Sequence, residues 1–240
     1  FRLLNSIKEL FAPIYIVDSF STDDTVQIAR NFGCIVKQNK FINHPLQWDF
    51  ALKNCEIETE WVICLDADQI VTESLFQKLK NFKDSTVEGD INAIYFNRHN
   101  YFQGSRLKFG GYRNFYMLKM FRRQMGGSDL SENMDHRFIC SGKSIIWKDA
   151  ILIEDNIKEQ NIDFWIAKHL KYSSAVAEEE YKRSQGLWLQ SQPNNDYSSV
   201  NAQRKYLKKL WWKLPLFVRP HFYFIYRFIF RLGFLDNRSG

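Results

Sequence analysis

Ile14-Tyr15-Ile16-Val17-Asp18-Ser19-Phe20-Ser21-Thr22-Asp23-Asp24-Thr25 is the stretch on which the fold turns. Four apolar residues, three of them β-branched, run into an acid, as expected of a short strand buried in a parallel sheet. Ser21 then offers a helix N-cap, with Asp23 and Asp24 in the first turn and Val26, Ala29 and Phe32 on one helical face. Gly33 ends that helix and Cys34-Ile35-Val36 begins another strand. Working outward, Gln47 to Asn54 is expected to be helical, and Trp61-Val62-Ile63-Cys64-Leu65 reads as a strand that ends in Asp66-Ala67-Asp68. Thr72 caps a helix that turns Leu75, Phe76 and Leu79 inward, and Ile91 to Phe102 is extended. Strands separated by helices imply βαβ units, hence an α/β domain with a mostly parallel sheet. Ligands of such sheets bind beyond the carboxyl ends of the strands. Asp18 and Asp66 both stand at such ends and are expected to share one edge.

Beyond Gly104 the pattern is less regular. Phe109-Gly110-Gly111-Tyr112 is a turn, Phe115 to Arg122 is extended, Ser128 to Arg137 is a polar loop, and Asp163 to Glu180 is a helix. Gln192-Pro193-Asn194-Asn195-Asp196 breaks the chain. The expected organisation is an α/β domain over residues 1–190 and a basic-aromatic helical tail over 200–240. The net charge of +6 belongs to that tail: Val200 to Gly240 holds nine Lys/Arg against one acid, Asp236, so the rest of the chain is slightly acidic. Nucleic-acid binding by the main domain therefore has little support. The tail interleaves its bases with Trp211, Trp212, Phe217, Phe222, Phe224, Tyr226, Phe228 and Phe230, and Pro215 and Pro220 interrupt it. That composition suits a membrane interface rather than a span, with Arg227 and Arg231 on one helix face. The same pattern also fits a buried helical subdomain. The four cysteines are far apart and form no CxxC pair, so small buried thiols are expected rather than a zinc site or disulfide framework. The chain opens at Phe1 without a secretory signal pattern and reads as a piece of a longer protein.

The chemistry is concentrated in the acids. Asp66 and Asp68, two residues apart on extended chain, point to the same side. Two close carboxylates repel unless a cation or hydrogen bonds compensate, and hard oxygen ligands suit Mg²⁺ or Mn²⁺ shared with substrate phosphates. Solvated loop acids or helix caps are the plain alternative. Asp18 precedes the expected cap by three residues, so capping does not account for it. A carboxylate there can accept from a nucleobase N–H or from ribose hydroxyls.

The pattern of Asp18, Ser21, Thr22, Asp23 and Thr25, followed downstream by Asp66 and Asp68, resembles family 2 glycosyltransferases. Lys40 to His44, Gln47 to Leu52, and the tail runs Leu214 to Pro220 and Arg231 to Asp236 resemble its bacterial polysaccharide-building members. The resemblance implies a GT-A fold. It assigns Asp18, Ser19, Ser21 and Asp66 to the nucleotide-sugar, and Asp68 to Mg²⁺ or Mn²⁺. It also implies a UDP-sugar donor, a glycan or lipid-linked acceptor, inverting transfer, and a cytoplasmic enzyme held peripherally on the inner face of the cell membrane. An inverting transfer needs a general base. Related enzymes carry an acid that serves as base in the region of Ser131 to His136, where Asp135 matches best and Glu132 second; His136 either positions it or is a surface residue, and solvated loop acids are the plain alternative. Glu154-Asp155, after another apolar run, is a further acidic pair that could face the site. Two departures stand out: the family's first strand does not precede the helix at Phe1 to Leu10, and Gln69 stands where many relatives carry Glu. Two rivals remain at this point. One is a scaffold that binds nucleotide or glycan without turnover. The other is an aspartate-nucleophile phosphatase, which wants Thr or Val where this chain has Ile70.

Overall fold

The computed structural model describes residues 1–82, 89–130, 136–186, 207, 210–211 and 213–236. A short helix, α1 (Arg2–Ile7), precedes the apolar run that forms β1 (Tyr15–Asp18). Across α2 (Thr25–Asn31), β1 pairs in parallel with β2 (Ile35–Gln38), which is the βαβ unit the sequence implies. The cap is a correction. Ser21 does not cap α2, which starts at Thr25 after Asp24 with no side-chain capping bond. The cause is Asp18, whose carboxylate accepts the Ser21 backbone N–H at 3.1 Å and ties this turn back to the strand. Gly33, at φ 72°, ends α2 in the left-handed region that glycine tolerates.

Helix α3 (His44–Asn54) begins earlier than its apolar pattern suggests, because Asn43 caps it by accepting the Leu46 N–H at 2.9 Å. Next come β3 (Trp61–Ile63), β4 (Gln69–Val71) and α4 (Glu73–Lys80), with Thr72 as the cap of α4. The remaining strands are β5 (Ile91–Phe102), β6 (Ser105–Arg106), β7 (Phe115–Arg122), β8 (Gly126–Ser128), β9 (Phe138–Cys140) and β10 (Lys143–Glu154). A long helix follows, α5 (Ile162–Ser184).

The central sheet runs β3-β7-β5-β10-β4, with β6 on the end of β5. Its strand directions are mixed rather than mostly parallel. β5 and β10 are parallel, whereas β3–β7, β7–β5 and β10–β4 are antiparallel. No helix intervenes between β5 and β7, so the chain returns without the crossover that parallel neighbours require. Strand β10 escaped the sequence reading because Lys148-Asp149 interrupts its apolar run. The structure resolves that interruption as an irregularity between Trp147 and Ile151, where the Asn97 amide donates to the Lys148 carbonyl at 3.0 Å.

Alternate residues of β5 face opposite layers. Ile94 and Phe96 pack with Leu75, Leu79, Met120 and Leu152 beneath α4. Ala93 and Tyr95 pack with Val62, Leu118, Phe121 and Phe138, and Trp48 and Leu52 of α3 cover that cluster. The β1–β2 pair has its own small core around Ala29 and Cys34. Helix α1 stitches the two parts together: Leu4 belongs to the small core, while Leu3 and Ile7 pack against the central one.

The carboxy-terminal helix (Arg219–Phe224) and its π-helical continuation (Ile225–Phe230) are fastened to this body. Arg219 donates two bonds to Glu180 of α5, at 2.7 and 2.9 Å. Asp236 accepts the backbone N–H groups of Lys108 and Phe109, both at 2.8 Å, and Gly110 donates to the Arg231 carbonyl at 2.8 Å. Arg227 lies over the Tyr112 ring at 4.6 Å, with Arg231 beside it against Gly111. These two arginines thus pack beside the Gly110-Gly111-Tyr112 turn, with Arg227 half-buried and Arg231 exposed. The outward surface is aromatic: Phe222, Phe224 and Phe230 are 55%, 58% and 74% exposed. Among the described residues, no helix is long and apolar enough to cross a membrane.

Candidate active site

Helix α3 joins the two acidic strand ends. On one side Gln47 donates to the Ser19 hydroxyl at 3.0 Å, just after β1, and accepts from Asn39 at 2.9 Å. On the other, the charges of His44, at the start of α3, and of His136 bear on Asp66. The two strands belong to different sheets, β1 to the pair with β2 and β3 to the central sheet, so α3 rather than a shared sheet edge is what relates Asp18 to Asp66.

Asp18 is buried. Its carboxylate accepts the Ser21 N–H and the Gln38 amide, the latter at 3.0 Å. Burial pushes its pKa up, but these hydrogen bonds outweigh burial and hold the group below the ordinary carboxyl value. Ser19, Phe20 and Ser21 are exposed around it, and Phe20 takes a left-handed φ of 61°. Asp18 therefore has a structural role that the sequence did not show: it organises the loop that would receive a nucleoside.

Asp66 and Asp68 differ sharply. The Lys119 ammonium stands 2.6 Å from Asp66 Oδ2, and the Gln69 amide donates to the same oxygen at 2.9 Å. Gln69 returns a bond by accepting the Asp66 N–H at 3.0 Å. Burial raises the Asp66 pKa, Lys119 more than offsets it with help from His136 and His44, and the carboxyl ends below its usual range. Gln69 also reaches Glu154 at 3.2 Å, and Arg98 closes the chain of contacts at 2.6 Å from Glu154. Asp68 has the amide of Asn156 at 3.2 Å and, among the described residues, no cation so close. Burial, then the negative charges of Glu154 and Asp66, raise its pKa. It is the under-compensated carboxylate of the group.

Glu154, one of the further acids read from sequence, sits within this network. Its neighbour Asp155 instead forms an ion pair with Arg2 at 2.6 Å, and in doing so anchors α1. Glu132 and Asp135, the base candidates, lie outside the described residues. His136, next to Asp135 in sequence, stacks on Trp48 of α3 with ring centroids 5.8 Å apart. Lys119, Gln38, Gln47, Arg98 and Asn156 were missed from sequence. Lys119 left a readable signal: a single base inside Met117-Leu118-Lys119-Met120-Phe121, an otherwise apolar strand, must find a carboxylate.

Among the described residues, no group of three or more His, Cys, Asp and Glu is arranged to hold a metal by itself. One part-buried carboxylate short of countercharge can nevertheless contribute to a Mg²⁺ site, since that ion typically takes one or two carboxylates together with substrate phosphates and waters. The residues present fit such an ion.

Helices on both faces of a mixed sheet, with acids gathered at one edge, define an α/β domain of the GT-A type. The chain belongs to the glycosyl transferase family 2, whose model matches residues 2–151. It is 33% identical over 79 residues to uncharacterized glycosyltransferases of Rickettsia prowazekii (strain Madrid E) and Rickettsia typhi (strain ATCC VR-144 / Wilmington), covering 33% of this chain and 26% of each relative. Against one from Rickettsia conorii (strain ATCC VR-613 / Malish 7) the identity is 34% over 79 residues, 33% of this chain and 27% of that one. The match thus spans about a quarter of the length of these relatives. Family membership leaves the phosphatase reading without support.

Proposed function

We propose that this chain transfers a sugar from a nucleotide diphosphate-sugar, with a UDP-sugar favoured, to a hydroxyl of a glycan or lipid-linked saccharide, with inversion and with a divalent cation. The observation that carries the reading is the contrast between the two aspartates. Asp66 is neutralised by Lys119, while Asp68, two residues on, has a pKa raised by burial and then by the acids Glu154 and Asp66, with no cation so close among the described residues. Ser19, with the Asp18 loop behind it, receives the nucleoside, Asp66 accepts a ribose hydroxyl, and Asp68 holds Mg²⁺ or Mn²⁺. When bound, the cation offsets negative charge on the departing diphosphate. A base takes the acceptor proton as the hydroxyl attacks the anomeric carbon, and Asp135 is assigned that role, with Glu132 second.

The acceptor's setting follows from the tail. Its exposed aromatic surface, with the basic excess of residues 200–240, supports a protein lying peripherally at an anionic membrane face, the inner face of the cell membrane in this reading. Polysaccharide assembly on a lipid carrier fits that placement. The test is nucleoside diphosphate release from a panel of UDP-sugars, with Mn²⁺ or with chelator, by the unmodified chain and by Asp68→Asn. Metal-dependent release lost in Asp68→Asn supports the reading. Release indifferent to chelator overturns the metal assignment, and absence of release with retained nucleotide binding favours a scaffold.

A further inference from the structure

Strand β7 carries one residue more than its partner where it passes β5. Ile94 pairs with Met120 and Tyr95 with Leu118, so Lys119 is the extra residue of a bulge. Bulges re-aim a side chain, and this one turns a lysine out of the regular alternation. Lys119 is 1% exposed, and its ammonium meets Asp66 Oδ2 at 2.6 Å. Its carbonyl also accepts the Cys64 N–H at 2.8 Å, which pins the bulge to the segment leading into the aspartate pair. Gln69, itself fully buried, donates to the same Asp66 oxygen. Both donors come from the protein interior and both take Oδ2. The Asp66 side chain is still 36% exposed, and Oδ1 is the oxygen that neither of these donors takes.

An isolated pair of carboxylates at i and i+2 would be drawn together onto one divalent cation. An ammonium in contact with one of them removes that carboxylate's net charge and repels a cation from it. Accepting a hydroxyl hydrogen bond needs a lone pair and not a net charge, so Oδ1 keeps that capacity. We propose that Lys119 is a positioning residue: by holding Oδ2 of Asp66 it presents Oδ1 to a ribose hydroxyl and leaves the cation to Asp68 alone. The inference rests on the reading that Asp68 takes the cation. It adds a division of labour between two chemically identical side chains, enforced by a third residue on another strand.

The test is Mn²⁺ binding to the nucleotide-free protein, followed by electron paramagnetic resonance, together with UDP binding in chelator. Circular dichroism confirms that each variant is folded. Lys119→Met frees Asp66 to join Asp68, so Mn²⁺ affinity rises by about tenfold or more and UDP affinity in chelator falls. The double variant Asp66→Asn/Lys119→Met returns Mn²⁺ affinity to that of the unmodified chain. Lys119→Gln, which keeps a donor to Oδ2 without the charge, is read by the same criteria if Lys119→Met does not fold. Unchanged Mn²⁺ affinity in the single variants overturns the proposal, as does a gain that persists when Asp66 is also replaced, since that would be general electrostatics. If Asp68→Asn leaves Mn²⁺ binding intact in the otherwise unmodified chain, it is the metal assignment that fails instead.

Discussion

Replacing Asp236 by alanine asks whether the carboxy-terminal segment belongs to the fold or hangs from it. Asp236 is 7% exposed, and its two carboxylate oxygens accept the N–H groups of Lys108 and Phe109, each at 2.8 Å. Hydrogen bonds to a charged group contribute about 1.5–3 kcal/mol each, and part-buried donors left without acceptors add a desolvation cost. The two bonds share one carboxylate and do not simply add, so the expected loss is about 3 kcal/mol. In a domain of this size that corresponds to a fall in Tm of about 6–12 °C. Asp236→Asn keeps one carbonyl acceptor and should lose about half as much. Thermal unfolding followed by circular dichroism measures both. A Tm for Asp236→Ala within about 2 °C of the parent would refute the reasoning and return the segment to the status of an appendage.

Three further outcomes are expected. In metal-free buffer, Asp68→Asn should raise stability by on the order of 1 kcal/mol. A carboxyl whose folded pKa is raised costs stability as pH climbs through that pKa, and the amide removes the cost; a lower Tm for the variant would contradict this. Asp18 has the opposite sign: its folded pKa is depressed, so its contribution is present above the ordinary carboxyl value and lost as pH falls through the folded one. Asp18→Asn should therefore flatten the acid limb of Tm against pH, and parallel limbs would refute it. The Cys64 thiol, pushed up to about 12 mainly by burial, should resist iodoacetamide at pH 8.5 in the folded protein and react only on unfolding, as mass mapping would show.

Much of the scaffold was legible because its signals are local. The β1 and β5 runs, the Gly33 stop and the Thr72 cap are written in adjacent residues, and the structure keeps them. Two kinds of feature were not. Strand direction depends on where the chain returns, and nothing in Phe115 to Arg122 states that β7 lies between β3 and β5. The partner a side chain meets is equally silent. Ser21 looks like a cap until Asp18 is seen to hold its N–H, Lys119 announces a carboxylate without saying which, and nothing in Arg227 and Arg231 states that they pack beside Gly110 and Gly111. Those glycines take φ values of 61° and 101°, backbone conformations that glycine adopts and other residues rarely do, and so shape the turn on which the arginines rest.

The same long-range pairing explains why an aspartate doublet alone says so little. Asp66, Asp68 and Glu154 gather three negative charges at one sheet edge. Two cations meet them from strands distant in sequence, Lys119 at Asp66 and Arg98 at Glu154. A further lysine, Lys168, pairs with Glu159 and offsets the charge at Asp68 only in part. One carboxylate is left over, and it is Asp68, whose pKa rises where that of Asp66 falls. Leaving a carboxylate under-compensated in a part-buried site costs stability, and a fold selected for stability alone would have replaced it or paired it. In the proposed reading, that residual charge is relieved by something that binds. A divalent cation shared with an anionic diphosphate relieves it, and a neutral ligand would not. On that reading, the electrostatics of the edge thus favour a cation carried together with phosphate.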